Sequence, residues 1–95
     1  MRIGFIGLGN VGGKLAGSLI RNKFNIIVRD LDSKLTKKFS NQGAVIANNP
    51  KDLAEKSDLI ITCLPSPEVC SKVMEAEDGV INGLSKGKIW LEMST

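Results

Sequence analysis

Five short apolar runs recur along the 95-residue chain, and stretches with helical periodicity separate them. The runs lie at residues 1–6, 24–28, 44–47, 58–64 and 88–93, and each has the length and composition of a buried strand. Strands that alternate with helices form a mainly parallel sheet, because a parallel neighbour needs a long, right-handed crossover connection. The order predicts an α/β fold with a doubly wound sheet covered by helices on both faces.

Helix signals fill the intervals between the apolar runs. Apolar residues recur at four-residue spacing over residues 11–20, which predicts an amphipathic first helix. Ser33 is expected to cap a second helix that stops at Gly43. Asn49–Pro50 and Ser66–Pro67 each combine a capping residue with a first-turn proline, so each pair predicts a further helix start.

The glycine-rich segment GLGNVGG at residues 7–13 follows the first apolar run and opens the first helix. Gly7, Gly9 and Gly12 match G-x-G-x-x-G, and Asp30 ends the second run, as in dinucleotide-binding strand–helix–strand units. In such a unit Gly7 permits the tight turn, Gly9 lets the backbone approach the pyrophosphate, and Gly12 lets the helix pack closely on the sheet. The alternative is a plain strand-to-helix turn, and the acid at residue 30 favours the dinucleotide site.

Asp30 also bears on which dinucleotide is bound. A carboxylate there can accept hydrogen bonds from ribose hydroxyls, whereas a 2′-phosphate beside it would add uncompensated negative charge. The sequence therefore predicts NAD over NADP. Arg29 could offset that charge, but side chains alternate along a strand, so Arg29 and Asp30 are expected on opposite faces unless the strand end twists. The alternative for Asp30 is a solvated acid in a turn.

Composition argues against several other kinds of site. The chain has no histidine, and its cysteines, Cys63 and Cys70, lie where we expect small buried hydrophobes and not metal ligands or a disulfide. The net charge of +3 is interspersed with acids, which does not favour nucleic acid. No run approaches the roughly 18 apolar residues of a membrane span. We expect an intracellular protein of the cytoplasm or mitochondrial matrix.

Three segments carry a resemblance to a known family. They are IGFIGLGNVGGKLAGSLIRNKFNIIVRD at residues 3–30, NNPKDLAEKSDLIITCLPSPEV at 48–69 and GLSKGKIWLEMST at 83–95. Together they resemble the amino-terminal part of the β-hydroxyacid dehydrogenases, which include 3-hydroxyisobutyrate dehydrogenase, tartronate semialdehyde reductase and related glyoxylate or succinic semialdehyde reductases. The resemblance covers essentially the whole chain and implies a Rossmann-type NAD-binding domain of an oxidoreductase that acts on a small 3-hydroxyacid.

The resemblance also implies a set of cofactor contacts. The glycine loop would hold the pyrophosphate and Asp30 the adenine ribose, while Leu64 and Pro65, with Val69 nearby, would line the cofactor and Thr95 would lie near the nicotinamide. Relatives that prefer NADP tend to carry Asn-Arg-Thr where this chain has DLD at residues 30–32, so their phosphate-binding arginine is absent here. The candidate cofactor-binding residues are Gly7, Leu8, Gly9, Asn10, Val11, Gly12, Arg29, Asp30, Leu64, Pro65, Val69 and Thr95.

The chain departs from the family pattern in its length. It ends at Thr95, before the family's substrate-binding segment, catalytic lysine and helical domain, so we expect residues 1–95 to be an incomplete dinucleotide-binding domain with about five strands. No residue is assigned to catalysis, Lys86 and Lys88 are expected to be solvated, and the chain alone is expected to be inactive. An uncovered sheet edge and apolar helix surface lead us to expect self-association.

Three alternatives to a 3-hydroxyacid dehydrogenase remain open at this point. One is a non-catalytic dinucleotide-binding or interaction module. The second is an NADP-linked semialdehyde or glyoxylate reductase, or a relative of 6-phosphogluconate dehydrogenase. The third is a methyltransferase, whose cofactor also meets a glycine loop and an acid at a strand end.

Overall fold

A computed structural model describes residues 1–93. Five parallel strands form one sheet in the order β3-β2-β1-β4-β5, which confirms the doubly wound fold. Strands and helices alternate along the chain as predicted. The elements are β1 (Arg2–Ile6), α1 (Asn10–Arg21), β2 (Asn25–Arg29), α2 (Ser33–Ser40), β3 (Val45–Ile46), α3 (Pro50–Lys56), β4 (Leu59–Thr62), α4 (Pro67–Glu75), a 3₁₀ turn (Val80–Gly83) and β5 (Ile89–Glu92).

The sheet separates two apolar layers. On one face α1 and α2 pack on the sheet, and Phe39 of α2 forms a cluster with Phe5 of β1 and Val28 of β2. On the other face α3, α4 and the 3₁₀ turn pack over a second cluster that includes Leu53 and Ile60. Because β1 is central and covered on both faces, it supplies buried residues to both clusters, as expected for a parallel strand.

Capping side chains fix where three of the helices begin. Asn49 accepts a hydrogen bond from the Asp52 N–H at 2.7 Å, and Ser66 accepts one from the Val69 N–H at 3.2 Å, so both predicted caps are confirmed. The predicted cap at Ser33 is wrong, because Asp32 accepts from the Lys34 N–H at 2.9 Å and Ser33 is already helical.

Two expectations about individual side chains are wrong. Lys88 is half-buried, since its Nζ donates to the carbonyl oxygens of Ala54, Glu55 and Ser57 at 2.6–2.9 Å. The Ala54 carbonyl oxygen also accepts from the Ser57 N–H at 3.3 Å. An ammonium group at the carboxyl end of α3 adds a charged donor to carbonyls of the last turn, so Lys88 stabilises that helix end. Both cysteines are half-buried instead of fully buried.

The register of the sheet positions the candidate site. Ile6 of β1 lies level with Arg29 of β2 and with Thr62 of β4. The carboxyl ends of these three strands therefore meet at one edge. The strand order reverses between β1 and β4, and ligands of doubly wound proteins bind outside such a point.

Candidate functional site

A cavity of about 920 Å³ opens at the edge where the sheet order reverses. Its size is that of a site for a small molecule or cofactor. Its wall is made mainly by residues at and after the ends of β1, β2 and β4, by the amino-terminal half of α1 and by α4, with single residues from α2, α3 and the segments after α4 and β5. The wall comprises Ile6, Gly7, Gly9, Asn10, Val11, Gly12, Arg29, Asp30, Leu31, Asp32, Leu35, Pro50, Cys63, Leu64, Pro65, Val69, Lys72, Val73, Asp78 and Met93.

The three glycines of the motif have different surroundings. Gly7 has a φ of +97°, a left-handed conformation that favours glycine, and a Cβ there would overlap the Cys63 carbonyl oxygen. A Cβ on Gly12 would overlap the Gly7 carbonyl oxygen, so this glycine allows α1 to start close to β1. A Cβ on Gly9 would meet no protein atom within 4 Å. The protein itself therefore needs glycine at positions 7 and 12, whereas at position 9 the open space faces the cavity.

The amino end of α1 is open to an external acceptor. Its N-cap residue, Gly9, has no side chain that can accept from the first N–H groups, and no acidic side chain lies in the first turn. The helices α2, α3 and α4 each have a capping side chain at this point. The N–H groups of the first turn of α1 thus have no capping side chain, and together with the positive end of the helix dipole they favour an anion beside the cavity.

Asp30 fastens the glycine loop to the end of β2. Its Oδ2 accepts a hydrogen bond from the Leu8 N–H at 2.7 Å, and its Oδ1 accepts one from the Asp32 N–H at 2.8 Å. The Gly7 N–H also donates to the Arg29 carbonyl oxygen at 3.1 Å. Asp30 is therefore not merely a solvated turn acid, because it holds the loop in place with its carboxylate.

The charges on the cavity wall are mixed. Arg29 and Lys72 are cationic, and Asp30, Asp32 and Asp78 are anionic. Arg29 and Asp30 both line the cavity, because β2 ends at Arg29 and the strand alternation does not continue past that residue. The wall thus offers cations and helix N–H groups to phosphates, and carboxylates to hydroxyl groups.

The β4 side of the cavity is supported by a polar network. The Thr62 Oγ1 donates to the Glu92 Oε2 at 3.0 Å and accepts from the Trp90 Nε1 at 2.9 Å. The Cys70 Sγ donates to the same carboxylate oxygen of Glu92 at 2.9 Å. Burial, followed by the hydrogen bond to Glu92, raises the pKa of the Cys70 thiol to about 11. This thiol is therefore protonated at neutral pH and is a poor nucleophile.

The structure brings most of the predicted site residues together. Gly7, Gly9, Asn10, Val11, Gly12, Arg29, Asp30, Leu64, Pro65 and Val69 line the cavity. Leu8 does not line it: its side chain is buried in the core, and its contribution is the backbone N–H held by Asp30. Thr95 lies outside the described residues.

Sequence reasoning missed several wall residues. Lys72 and Val73 lie one turn beyond Val69 on α4, so helical periodicity from Val69 could have found them. Pro50 signalled a helix start and Asp78 nothing, and neither pointed to this site, because only the folded chain brings them to this edge. Cys63, predicted as a small buried hydrophobe, is a wall residue because it directly follows β4.

Two other kinds of function find no support in the part of the chain that is described. No group of three potential ligands among residues 1–93 could hold a metal ion. Of the helices in that range, none has the length and apolar character to cross a membrane.

Comparison with known proteins identifies the family of this chain. The family model for the NAD binding domain of 6-phosphogluconate dehydrogenase matches residues 2–95. Mitochondrial 3-hydroxyisobutyrate dehydrogenase of Rattus norvegicus is 38% identical over 93 residues, which are 98% of this chain and 28% of the rat protein. The 3-sulfolactaldehyde reductase of Escherichia coli K12 is 34% identical over 93 residues, 98% of this chain and 31% of that protein.

Among solved structures, Psf3 in complex with NADP⁺ and 2-OPP superimposes with a TM-score of 0.91 at 26% identity, covering 98% of this chain and 33% of that one. The chain thus spans less than a third of the length of the curated relatives just described. The family model nevertheless accounts for nearly all of it. The chain belongs to the family of NAD-binding domains typified by that of 6-phosphogluconate dehydrogenase.

Proposed function

We propose that this chain is the NAD-binding part of a dehydrogenase that acts on a small 3-hydroxyacid of the 3-hydroxyisobutyrate type. The observation that carries the proposal is the uncapped amino end of α1, with an unobstructed Gly9, at a cavity large enough for a cofactor. The curated relatives support the substrate class, because they include 3-hydroxyisobutyrate dehydrogenases of rat, mouse and human and a probable one of Dictyostelium discoideum.

The dinucleotide would bind through its pyrophosphate at the first turn of α1. The N–H groups of Asn10, Val11 and Gly12 belong to that turn, and the dipole of α1 favours a bound anion. Because Gly9 has no Cβ, the phosphates can approach the backbone at this position. Leu64, Pro65 and Val69 supply apolar wall on the opposite side of the cavity.

Asp30 would bind the adenosine ribose while it holds the glycine loop. Each carboxylate oxygen has two acceptor sites, so the bonds from the Leu8 and Asp32 N–H groups leave capacity for ribose hydroxyls. The ribose would therefore bind to a carboxylate whose position is already fixed. A fixed acceptor loses less conformational entropy on binding.

The same carboxylates favour NAD over NADP. Asp30 and Asp32 both line the cavity, and a 2′-phosphate would bring about two negative charges close to them. At a separation of about 5 Å in a solvated site this repulsion amounts to roughly 1–3 kcal/mol, or about tenfold in affinity or more. Arg29 acts in the opposite direction, and its proximity supports the competing proposal of an NADP-linked semialdehyde or glyoxylate reductase.

The proposal assigns no catalytic residue to residues 1–95. When bound, NAD would accept or donate hydride at its nicotinamide ring. The reaction also needs a proton donor or acceptor near the substrate, and we assign that role to no residue of this chain. We therefore propose that the chain by itself binds the cofactor without turnover. An intracellular location, in the cytoplasm or mitochondria, is part of the same proposal, since the rat relative is mitochondrial and another relative is bacterial.

Calorimetric titration of the chain with NAD and with NADP tests the proposal. We expect NAD to bind about tenfold more tightly than NADP or better. Arg29→Ala is the matched variant, because it should weaken NADP binding more than NAD binding. Tighter binding of NADP would contradict the NAD preference and favour the reductase. If neither dinucleotide bound to the folded chain, the whole proposal would be wrong.

A further inference from the structure

The cavity extends past Asp30 to the side of the sheet where β3 lies. Pro50 is the first residue of α3 and lines the cavity, and α3 follows β3, the outermost strand on the side of β2. The Lys51 N–H donates to the Asp78 carbonyl oxygen at 2.7 Å, so Asp78, which also lines the cavity, lies beside the first turn of α3. Lys72 lines the cavity from α4, the helix that begins after β4 and leads to Asp78. We refer to Pro50, Lys72 and Asp78 as the β3 end of the cavity.

The base of a bound dinucleotide would lie at this β3 end, an inference that rests on the proposed function. The strand ends follow one another along the sheet edge in the order β3-β2-β1-β4-β5. The pyrophosphate would bind at α1, which follows β1, and the adenosine ribose at Asp30, which follows β2. A ligand that runs from α1 to Asp30 continues towards β3, and the base is the group attached beyond that ribose.

Apolar side chains flank the β3 end on two sides. Leu31 and Leu35 line the cavity from the segment after β2 and from α2, and Val69 and Val73 line it from α4. Leu31 is 91% exposed, the largest exposed fraction among the large apolar side chains of residues 1–93. A planar base between these two walls would cover Leu31, and the burial of apolar surface favours binding. The walls therefore suit a flat ring system.

Lys72 and Asp78 can recognise polar groups at the edge of that ring. Neither side chain has an ion-pair or hydrogen-bond partner among residues 1–93, and both are exposed. A carboxylate only accepts hydrogen bonds, and an ammonium group only donates them. Adenine presents a donor at its N6 amino group and an acceptor at the neighbouring N7. We propose that Asp78 accepts from N6 and Lys72 donates to N7, so that this chain selects adenine among the purine bases.

A purine with an oxygen at C6 would lose the contact to Asp78. Guanine and hypoxanthine carry a carbonyl oxygen there in place of the amino group, so two acceptors would face each other. Lys72 can donate to that oxygen as well as to N7, and therefore does not distinguish these bases from adenine. The carboxylate is the group that selects the base, and the lysine adds affinity through N7.

Calorimetric titration with NAD and with nicotinamide hypoxanthine dinucleotide tests the role of Asp78. We expect the wild type to bind NAD about tenfold more tightly, which lies within the range for recognition of one base edge. Asp78→Asn should reduce this preference to about threefold or less, because its amide can turn to donate to the C6 oxygen. The bond from the Lys51 N–H uses the Asp78 backbone, so this variant should keep its fold. Glu77→Gln is the matched control: it removes the same charge at the adjacent exposed residue, outside the cavity wall, and should keep the preference.

The outcomes of this titration separate the inference from the proposed function. Equal binding of the two dinucleotides by the wild type, or an unchanged preference in Asp78→Asn, would overturn the role of Asp78 and leave the NAD site in place. Absence of NAD binding would refute the proposed function, and this inference with it.

An analogue of NAD with 7-deazaadenine, which has C–H in place of N7, tests the role of Lys72. The wild type should bind this analogue about threefold or more weakly than NAD, because one hydrogen bond is lost. Lys72→Met should bind NAD and the analogue equally. Lys86→Met, at an exposed position outside the cavity wall, is the control and should retain the wild-type difference. A Lys72→Met variant that still distinguishes the two ligands, or a wild type that does not, would overturn the contact to N7.

Discussion

Replacing Asp30 with alanine should destabilise the folded chain even when no cofactor is present. The substitution removes two hydrogen bonds, one from the partly buried Leu8 N–H at 2.7 Å and one from the exposed Asp32 N–H at 2.8 Å. A hydrogen bond to a charged group contributes about 1.5–3 kcal/mol. Water can replace the carboxylate at the exposed Asp32 N–H but not as readily at the Leu8 N–H, so the Leu8 bond dominates the cost.

We therefore expect Asp30→Ala to lower the free energy of unfolding by about 2–3 kcal/mol. A domain of this size has a total stability of roughly 5–15 kcal/mol, so the loss is a large fraction of it. Asp30→Asn should have an intermediate effect, because its single amide oxygen can replace only one of the two carboxylate acceptors.

Urea unfolding followed by far-UV circular dichroism measures this loss directly. Asp32→Ala is the matched control, because it removes the cap of α2 and should cost about 1 kcal/mol, while leaving the Asp30 carboxylate on the Leu8 N–H. An unfolding midpoint of Asp30→Ala equal to that of the wild type would refute the inference that Asp30 holds the loop. The unfolding measurement also helps to interpret NAD binding. Asp30→Ala can weaken NAD binding in two ways, by removing the ribose contact and by displacing the glycine loop, and the unfolding midpoint reports the second effect alone.

Two further predictions concern side chains outside the cofactor contacts. Lys88→Met should lower the free energy of unfolding by about 1–3 kcal/mol, because three carbonyl oxygens at the end of α3 lose their charged donor. Lys86→Met, at an exposed position, is the control and should have no effect. Equal urea midpoints for the two variants would contradict this role of Lys88. Burial and Glu92 raise the pKa of Cys70 to about 11 from 9.0, so the folded state favours the protonated thiol and should lose stability as the pH rises from about 9 to about 11. With the other cysteine replaced by serine, Glu92→Gln should speed alkylation of Cys70 at pH 9, and an unchanged rate would show that the carboxylate does not control the thiol.

The order of strands and helices was predictable from the sequence because its signals are local. Each apolar run and each change of period involves residues close together in the chain. Asn49 and Ser66 were identifiable as caps because a proline follows each of them at the first helical position. Residues 32 and 33 are both of types that cap helices well, and the local sequence does not determine which of them lies outside the first turn, so the prediction of Ser33 is wrong by one residue.

The candidate site was predictable where a motif carries it and not where the fold assembles it. The glycine loop and Asp30 follow from a spacing that many dinucleotide-binding units share. The bond from the Leu8 N–H to Asp30 joins residues 22 positions apart, and the bond from Cys70 to Glu92 joins residues equally far apart. Such contacts depend on how the crossover connections bring the strand ends together, so they cannot be predicted from local sequence patterns.

The central claim is that the amino end of α1 binds the pyrophosphate of NAD through a backbone that only glycine leaves open. Calorimetric titration of NAD into the wild type, Gly9→Ala and Gly17→Ala tests it most directly. An added Cβ at Gly9 meets no protein atom within 4 Å, and one at Gly17, in the same helix, meets chiefly the flexible end of Arg21 at 3.3 Å, so both variants should fold. We predict that Gly9→Ala loses at least about tenfold in NAD affinity, since the phosphates can no longer reach the N–H groups, and that Gly17→Ala binds like the wild type. Wild-type affinity in a folded Gly9→Ala variant would contradict the account.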